Sequence, residues 1–453
     1  MGSTGVVTAP TIWRLRAGLE KKFSKGHPWV FSNDLDQSPK GLPPGSLVEL
    51  RDSRDGFLAV GYGNPSTLIA FRVLSRDPLS TLPILLQQKL EAAAAARNLA
   101  GVDRFSHRLL FGEADGVPGV IVDRYLTVTA TTEPASVANP KPVAQVFVVQ
   151  SSTAGADQLI PALREAIAKF ENRGFAFGGE GATIRSLIVL AQDSSSRAIE
   201  GLDKKPREAI GEWGDLDPRS MAIAVQGGQS AIEGAPALYD VNFIDGQKTG
   251  FFLDQRMNVR LAWPLVKRAA ERSKKAGREL KVLDLFSYVG QWSVQIARAA
   301  QEFAPAKITM ADASALALEL AARNTRRAGG TADPRKMDIL NDLQKLEVGG
   351  YDVVICDPPA FIKKKKDHPT GRAAYVKLNR EAMKRVAPGG VFVSCSCSGL
   401  LTDEEFVEVL ADARRASGRE ITWVSHGGHG EDHPYRSEFP QGRYLKGWVG
   451  VVK

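Results

Sequence analysis

The chain has 453 residues, 43% of them hydrophobic and 24% charged, with a formal net charge of +8. That is enough for two or three domains with ordinary cores, and it excludes a disordered or fibrous chain. The three cysteines, Cys356, Cys395 and Cys397, are odd in number and clustered, so they form no disulfide framework, and with six histidines at no zinc-ligand spacing no metal site is expected. No apolar run is as long as a membrane span, and the first residues lack the apolar core of a secretory signal, so a cytoplasmic protein is expected. The mild basic excess suits an anionic partner.

In chain order, residues 1–10 are expected to be a loose lead-in. Residues 11–76 read as a small β-barrel unit. GSLVELRD, FLAVGYGN and TLIAFRVLS alternate apolar and polar residues between Asp, Gly, Asn and Pro turn signals. Ahead of them, TIWRLRAGLEKKFSKGHPWVFS sets Arg14, Arg16, Lys21, Lys22 and Lys25 against Glu20. Cations on a small barrel can grip a phosphate backbone, although a solvated face has the same composition.

An Ala- and Leu-rich helix is expected over 77–97. Residues 104–238 alternate strand-like runs (LLFGEADGVPGVIVDRYL, VAQVFVVQSS, SLIVLAQD) with a helix around LIPALREAIAKFENRG, while 191–236 is polar and without clear period. Residues 77–238 are therefore expected to form a middle α/β domain.

From 239 to 453 the pattern becomes regular. KVLDLF, KITMAD, YDVVICD and GGVFVSCS predict strands, and QWSVQIARAA, ALALELAARNTRRAG and DEEFVEVLADARRASG predict helices. ITWVSHGG and YLKGWVGVVK predict a closing pair. This is the pattern of an α/β, doubly wound, Rossmann-like sheet, in which ligands bind outside the carboxyl ends of the strands. Asp284 ends the first strand, and LFSYVG carries Ser287 and Gly290 through a tight turn into a helix. That turn suits a ligand bearing an amino group. It is not GxGxxG, which argues against a dinucleotide. Asp312 ends the next strand, where a carboxylate can accept two hydrogen bonds from ribose hydroxyls. Asp338 in KMDIL is placed to meet an adenine amino group, and Asp357 opens DPPAF. One such acid alone is more commonly a helix cap. Four at consecutive strand ends on one rim point to a ligand site.

The constellation resembles the class I methyltransferase fold, whose cofactor is S-adenosyl-L-methionine. That resemblance implies that Asp284, Phe286, Ser287 and Gly290 line the methionine side, that Asp312, with Ala313 and Ser314 beside it, holds the ribose, and that Asp338 and Ile339 meet the adenine.

Two prolines straight after a strand-end carboxylate stiffen the DPPAF loop. Such a loop can hold a flat base beside the methyl donor, with Asp357 and Pro358 toward the cofactor and Pro359 and Phe361 toward the substrate. Enzymes acting on exocyclic amines commonly carry NPPY or NPPF there. Aspartate suggests contact with a ring nitrogen that gains a proton. SCSCSGLL (394–401) ends the following strand beside this loop. A thiolate there can attack C6 of a pyrimidine and make C5 nucleophilic enough to take a methyl group. A strand-end cysteine is also an ordinary small buried hydrophobe, the role expected of Cys356. Cys395 and Cys397 are both open to the nucleophilic role, and Cys397, two residues nearer the rim, is preferred.

GQKTGFFLDQR (246–256), LDLFSYVG, CDPPAFIKKK, SCSGLL (396–401) and FPQGRYLKG (439–447) resemble the ribosomal RNA large subunit methyltransferase I family. HPWVFS near residue 27 resembles that family's N-terminal PUA domain, and FGEADGVPGVIVDRY (111–125) its middle domain. The resemblance implies formation of 5-methylcytosine in large-subunit ribosomal RNA, with Cys397 as nucleophile and Asp357 assisting at the base. The chain carries Ala360 where many 5-methylcytosine enzymes have a second cysteine. KTGFFLDQR is expected to form a lid hairpin in which Phe251 and Phe252 pack, Gln255 meets the cofactor and Arg256 lies near its carboxylate; in a plainer reading Asp254 caps the helix that follows. Lys363, Lys364 and Lys365, and in the barrel Arg14, Arg16, Lys21 and Lys22, are expected to contact the RNA. Alternatives are methylation of a purine nitrogen without a covalent intermediate, and a non-catalytic RNA-binding protein. A homodimer through the barrel or the middle domain is compatible with either.

Overall fold

Apolar alternation folds the N-terminal stretch into a five-stranded sheet. In the computed structural model, which describes residues 11–129, 141–170, 184–228 and 235–453, its strands are β1 (Thr11–Arg14), β2 (Trp29–Phe31), β3 (Leu47–Arg51), β4 (Phe57–Gly63) and β5 (Ile69–Ser75). They lie in the order β1-β3-β4-β5-β2, with a one-turn helix, α1 (Glu20–Phe23), between the first two. An antiparallel bridge from Leu15 to Leu35 joins the continuations of the two edge strands and curls the sheet toward closure. The lead-in expected at 1–10, and the end of the helix expected around 159–174, lie outside the described residues.

Helix α2 (Leu82–Leu99), started by Thr81 accepting the Ile84 N–H, leads into the second sheet. Its strands are β6 (His107–Phe111), β7 (Val120–Val128), β8 (Pro142–Ser151), β9 (Arg185–Ala191), β10 (Glu208–Ile210), β11 (Met221–Val225) and β12 (Ala237–Val241). The order is β10-β9-β8-β7-β11-β12, with β6 on β7; β8 and β9 run parallel, and α3 (Ala154–Lys169) makes the crossover between them. Strands β10 and β11 arise within the stretch 191–236, where no period was legible. Strand β12 runs across the boundary expected after residue 238.

The C-terminal unit alternates α4 (Arg256–Lys275), β13 (Leu280–Leu285), α5 (Gln291–Ala300), β14 (Ala306–Asp312), α6 (Ala315–Arg327), β15 (Thr331–Lys336), the short α7 (Ile339–Asp342), β16 (Tyr351–Cys356), α8 (His368–Arg385), β17 (Val386–Ser396), α9 (Asp403–Ser417), β18 (Ile421–Gly427) and β19 (Lys446–Val452). The sheet order is β15-β14-β13-β16-β17-β19-β18, with β19 antiparallel to both neighbours. This is the doubly wound sheet and closing pair expected from the sequence. Helix starts follow local chemistry. Thr402 and Glu405 form a reciprocal capping box on α9 (3.2 and 2.8 Å), and Gly418 ends it at φ 68°.

The sheets and helices stack in alternating layers. Helices α2 and α3 cover one face of the middle sheet through Leu86, Leu90, Leu159 and Leu163. The opposite face shares one core with α4, α5, α6 and the C-terminal sheet, where Tyr125, Ile223 and Tyr239 meet Trp263, Trp292 and Ile308. Helices α8 and α9 cover the far face through Tyr375, Leu378, Phe406 and Leu410. The N-terminal sheet seats Tyr62 against Gly155 of α3. A Cβ there would come within 1.9 Å of the ring, so only glycine allows the approach.

Where the middle sheet meets residues 428–445, Asp432 is fully buried. Its carboxylate accepts the Arg108 backbone N–H (2.9 Å), shares a hydrogen bond with His433 Nδ1 (3.0 Å) and faces Arg256 at 3.7 Å, and Arg97 donates to its carbonyl (3.0 Å). Burial alone would raise its pKa, but Arg256 and His433 hold the carboxyl far below the ordinary range. Removing one partner of such a buried set strands the others, so Asp432→Ala is expected to lower unfolding free energy by about 3–5 kcal/mol. Denaturant unfolding measures this, and a loss below about 1 kcal/mol would show the set to be dispensable.

Candidate active site

The strand order reverses at β13, which is hydrogen-bonded to β14 on one side and β16 on the other. The chains leaving these strands diverge there and open a crevice. A cavity of about 1190 Å³ occupies it, bounded by the strand-end loops of the C-terminal sheet and by the middle domain.

On the β15-β14-β13 side, the loop after β13 is wound tightly. Phe286 (φ 62°), Tyr288 (φ 47°) and Gly290 (φ 83°) all adopt left-handed backbone. For Phe286 and Tyr288 this costs about 1–2 kcal/mol each. The loop is held there because Phe286 and Ser287 donate their N–H groups to the Ala311 carbonyl (2.9 and 3.1 Å) and Tyr288 donates to Asp312 Oδ2 (3.0 Å). Gly290 starts α5, and a Cβ on it would meet Ala321 Cα at 3.1 Å. Asp312 lines the cavity, its second oxygen accepting the Ser314 N–H (2.9 Å). Ala313, Asp338 and Ile339 also line it. Ser314 does not line it: its hydroxyl caps α6 by accepting the Ala317 N–H (3.2 Å).

Asp284 stands behind the cavity wall. It lies fully buried beneath the loop, where Oδ2 accepts the Ser293 N–H (3.1 Å) and hydroxyl (2.6 Å). Burial, together with the charges of Asp357 and Asp312, pushes its carboxyl up to about 7. Its Oδ1, and the hydroxyl of Ser287 on the cavity wall, have no hydrogen-bond partner among the described residues. These are an unsatisfied acceptor and an unsatisfied hydroxyl at the place where the resemblance sets an amino group.

On the β16-β17-β19 side stand Asp357, Pro358, Pro359, Phe361 and Cys397. Gln255 donates from Nε2 to both Asp357 oxygens (2.8 Å each), and Trp292 donates from Nε1 to Oδ2 (3.1 Å). Burial, and the nearby Asp254 charge, still push the Asp357 carboxyl up to about 7. Cys397 lies just past β17, with Sγ 3.8 Å from the Pro358 carbonyl. Burial raises its thiol pKa, and Lys248 on the cavity wall draws it back down. Cys395 is wholly buried against Gln255 and, like Cys356, belongs to the core. The two candidate thiols are thus distinguished by access: Cys397 lines the cavity and Cys395 does not.

The segment before α4 is a loop and a 3-10 turn rather than a hairpin. Phe251 packs in the core, whereas Phe252 and Gln255 line the cavity. Arg256 turns away from it. Its guanidinium donates to Gln226 Oε1 (3.0 Å) and the Ser106 carbonyl (2.9 Å), because it sits where α4 meets the middle sheet. Asp254 does not cap α4 through its side chain; it accepts the Tyr444 hydroxyl (2.6 Å) and pairs with Lys248 (3.7 Å). Lys363, Lys364 and Lys365 are exposed and outside the cavity wall. In the N-terminal sheet Arg14 pairs with Asp55 (2.6 Å), Lys22 with Asp34 (3.2 Å) and Arg16 Nε with the Leu35 carbonyl (2.9 Å), while Lys21 is exposed.

Among the wall residues that escaped the sequence reading are Arg108, Lys248, Trp292 and Tyr444. Lys248, Trp292 and Tyr444 sit in or beside quoted motifs, so proximity was the available signal. Arg108 comes from the middle sheet. Its Nε and Nη2 grip Asp123 (2.7 and 2.9 Å).

The PUA-like domain profile matches residues 14–76, and the methyltransferase small domain profile matches 260–414. The chain is 30% identical over 446 residues to the ribosomal RNA large subunit methyltransferase I of Photobacterium profundum, covering 96% of this chain and 98% of that one. It is 30% identical over 449 residues to the protein of the same name from Shewanella denitrificans, covering 97% and 98%. Two solved structures share the fold at TM-score 0.68 and 18% identity, covering 98% of this chain and 100% of theirs. One is SMU.776, a candidate methyltransferase complexed with SAH, and the other a candidate SAM-dependent methyltransferase from Streptococcus mutans. The C-terminal unit is a class I methyltransferase fold.

Asp284 sets a pH dependence. Its folded pKa lies above the unfolded value of 3.8, so between 3.8 and about 7 the unfolded chain releases a proton that the folded chain keeps, and the site costs stability. Asp284→Asn removes that cost. The variant is expected to match the parent below the ordinary carboxylate range and to gain up to about 4 kcal/mol as pH rises to neutrality. Unfolding midpoints across pH check this, and a gain that is flat with pH would refute it.

Proposed function

The chain belongs to the ribosomal RNA large subunit methyltransferase I family, and from that membership and the cavity just described we propose that it methylates C5 of a cytosine in large-subunit ribosomal RNA, with S-adenosyl-L-methionine as cofactor. The observation that carries the reading is a free thiol, Cys397, beside the rigid Asp357-Pro358-Pro359 loop in one cavity. At about 1190 Å³ that cavity exceeds the usual size of a single small-molecule site, so there is room for a cofactor and a flipped base together.

The residues fit the cofactor. The orphaned Asp284 Oδ1 and Ser287 hydroxyl suit an ammonium group, Asp312 a ribose diol, and Asp338 with Ile339 an adenine. Phe252, Phe286, Ala313, Gln255 and Pro358 would complete its walls, with Gly290 and Ser314 shaping the loops behind them. When bound, S-adenosyl-L-methionine supplies an electrophilic methyl group on a sulfonium sulfur.

The chain's own residues prepare the base. Pro359 and Phe361 confine it. The Cys397 thiol, raised by burial, becomes a thiolate with help from the Lys248 charge. Sγ forms a bond to C6, and the ring electron pair moves toward N3, which takes the proton that Asp357 holds near neutral pH. C5 is then an enamine-type carbon able to take a methyl group. Loss of the C5 proton to a base, cleavage of the C6–S bond to release the thiolate, and return of the N3 proton to Asp357 restore the aromatic ring, the nucleophile and the acid. The 11–76 unit, with Arg14, Arg16, Lys21 and Lys22, and the exposed Lys363, Lys364 and Lys365 serve RNA binding in this reading, residues 77–238 wall the cavity, and 239–453 carry the chemistry.

The test uses purified protein, methyl-labelled cofactor and large-subunit RNA, followed by nucleoside digestion. Label is expected in 5-methylcytidine, lost at least about a thousand-fold in Cys397→Ala and retained in Cys395→Ala. Label in a purine, or turnover surviving Cys397→Ala, would overturn the covalent reading in favour of nitrogen methylation. Asp357→Asn cannot give a proton and is expected to cost about 10²–10⁴ in kcat. The parent's rate is expected to fall as pH rises through about 7, where Asp357 loses its proton, and that falling limb should vanish in the variant.

A further inference from the structure

Away from the catalytic cavity, a second cleft of about 470 Å³ lies where four parts of the chain meet: residues 75–80 leaving the N-terminal sheet, α2, residues 114–115 after β6, and the loop carrying Arg436. Lys89 of α2 is half-buried in it, and its ammonium has no hydrogen bond or ion pair among the described residues. Gly116 faces that ammonium, and a Cβ there would stand 2.6 Å from Lys89 Nζ, so the glycine keeps space for it. Arg436 enters from the other side, anchored through Nε to the Ala114 carbonyl (2.8 Å) and 3.8 Å from Glu438.

Two acids share the cleft, and neither neutralises Lys89. Both Asp115 oxygens are committed to Arg97 (2.8 Å each), and one also accepts the Phe111 N–H (2.7 Å); Asp77 stands exposed at the rim. Burial lowers the Lys89 pKa first, and repulsion from Arg436 lowers it further, ahead of the opposing pull of Asp115 and Asp77. Two cations held together in a polar cleft are an electrostatic cost that an anion would relieve.

We propose that this cleft is a phosphate site in which the Lys89 ammonium and the Arg436 guanidinium hold one backbone phosphate of the RNA. Lys takes phosphate as a point charge and Arg adds directed donors. The site would tie RNA to the junction between the N-terminal sheet and the rest of the chain. The assignment of RNA rests on the function proposed above, whereas the anion site itself rests on Lys89, Arg436 and the cleft.

The test measures binding of a large-subunit RNA fragment to the full chain across a salt series. Lys89→Met and Arg436→Gln are each expected to reduce the slope of log K against log salt by about 0.7–0.9, one phosphate contact. KM for RNA should rise with kcat at saturating RNA unchanged, and Lys89→Arg should restore the slope. Thermal unfolding gives a second readout: Lys89→Met should raise Tm, because it removes an unpaired charge, where a structural lysine would lower it. An unchanged slope in both variants overturns the proposal, as does stabilisation of the parent by inorganic phosphate alone without any slope change, which would mark a site for free anions. Binding is read without turnover, so the two proposals fail separately: a reduced slope with no 5-methylcytidine formed would sink the chemistry and keep the site.

Discussion

Buried charge fixes the shape of the cavity. Asp123 and Asp432 lie fully buried where the middle sheet meets the C-terminal unit, and arginines from three elements converge on them. Arg108 grips Asp123 through two nitrogens, Thr249 donates its hydroxyl to the same carboxylate, and Arg256 faces Asp432. A carboxylate in a low-dielectric interior is tolerated only with its partners in place. The arrangement therefore has one satisfactory geometry, and that geometry sets the middle-domain wall across from the strand-end loops. Thr249 also fixes the segment carrying Lys248 and Phe252, so the same carboxylate that holds Arg108 positions a second stretch of the wall.

The floor of the cavity is acidic for a related reason. Asp284 and Asp357 end adjacent strands and both are raised to about 7, first by burial and then by a neighbouring acid, Asp357 for the one and Asp254 for the other. Together with the left-handed turns at Phe286 and Tyr288, this is a local store of unfavourable energy at the point where strand order reverses. An ammonium group set against Asp284 would let that carboxyl ionise at little cost.

Strand ends were legible in the sequence because the apolar runs are short, regular and stopped by acids. Asp312, Asp338 and Asp357 follow from that pattern, as does the choice between two nearby cysteines, since period 2 along β17 places Cys395 and Cys397 on one face and only the second clears the strand. What was not legible is direction. Arg256 has the chemistry of a ligand-binding group, yet it points back to Gln226 and Ser106, while Asp284 commits one carboxylate oxygen to Ser293 beneath its loop. Ser314 is a helix cap, a role its local sequence shares with a loop ligand. The stretch 191–236 hid β10 and β11 because both are short and flanked by polar turns. Arg108 could not be found locally, for its place on the wall depends on contacts more than a hundred residues away.

The partners of the middle domain also have an order in time. Arg97 and Arg108 find Asp432 across separations of 335 and 324 residues, and the cavity wall needs Tyr444 as well. A chain made from its N-terminus folds its early units first. During synthesis the middle sheet would therefore stand with its inner apolar face bare until the C-terminal unit is extruded. Until residues 428–445 are made, the chain keeps that apolar face exposed and lacks a complete cavity wall.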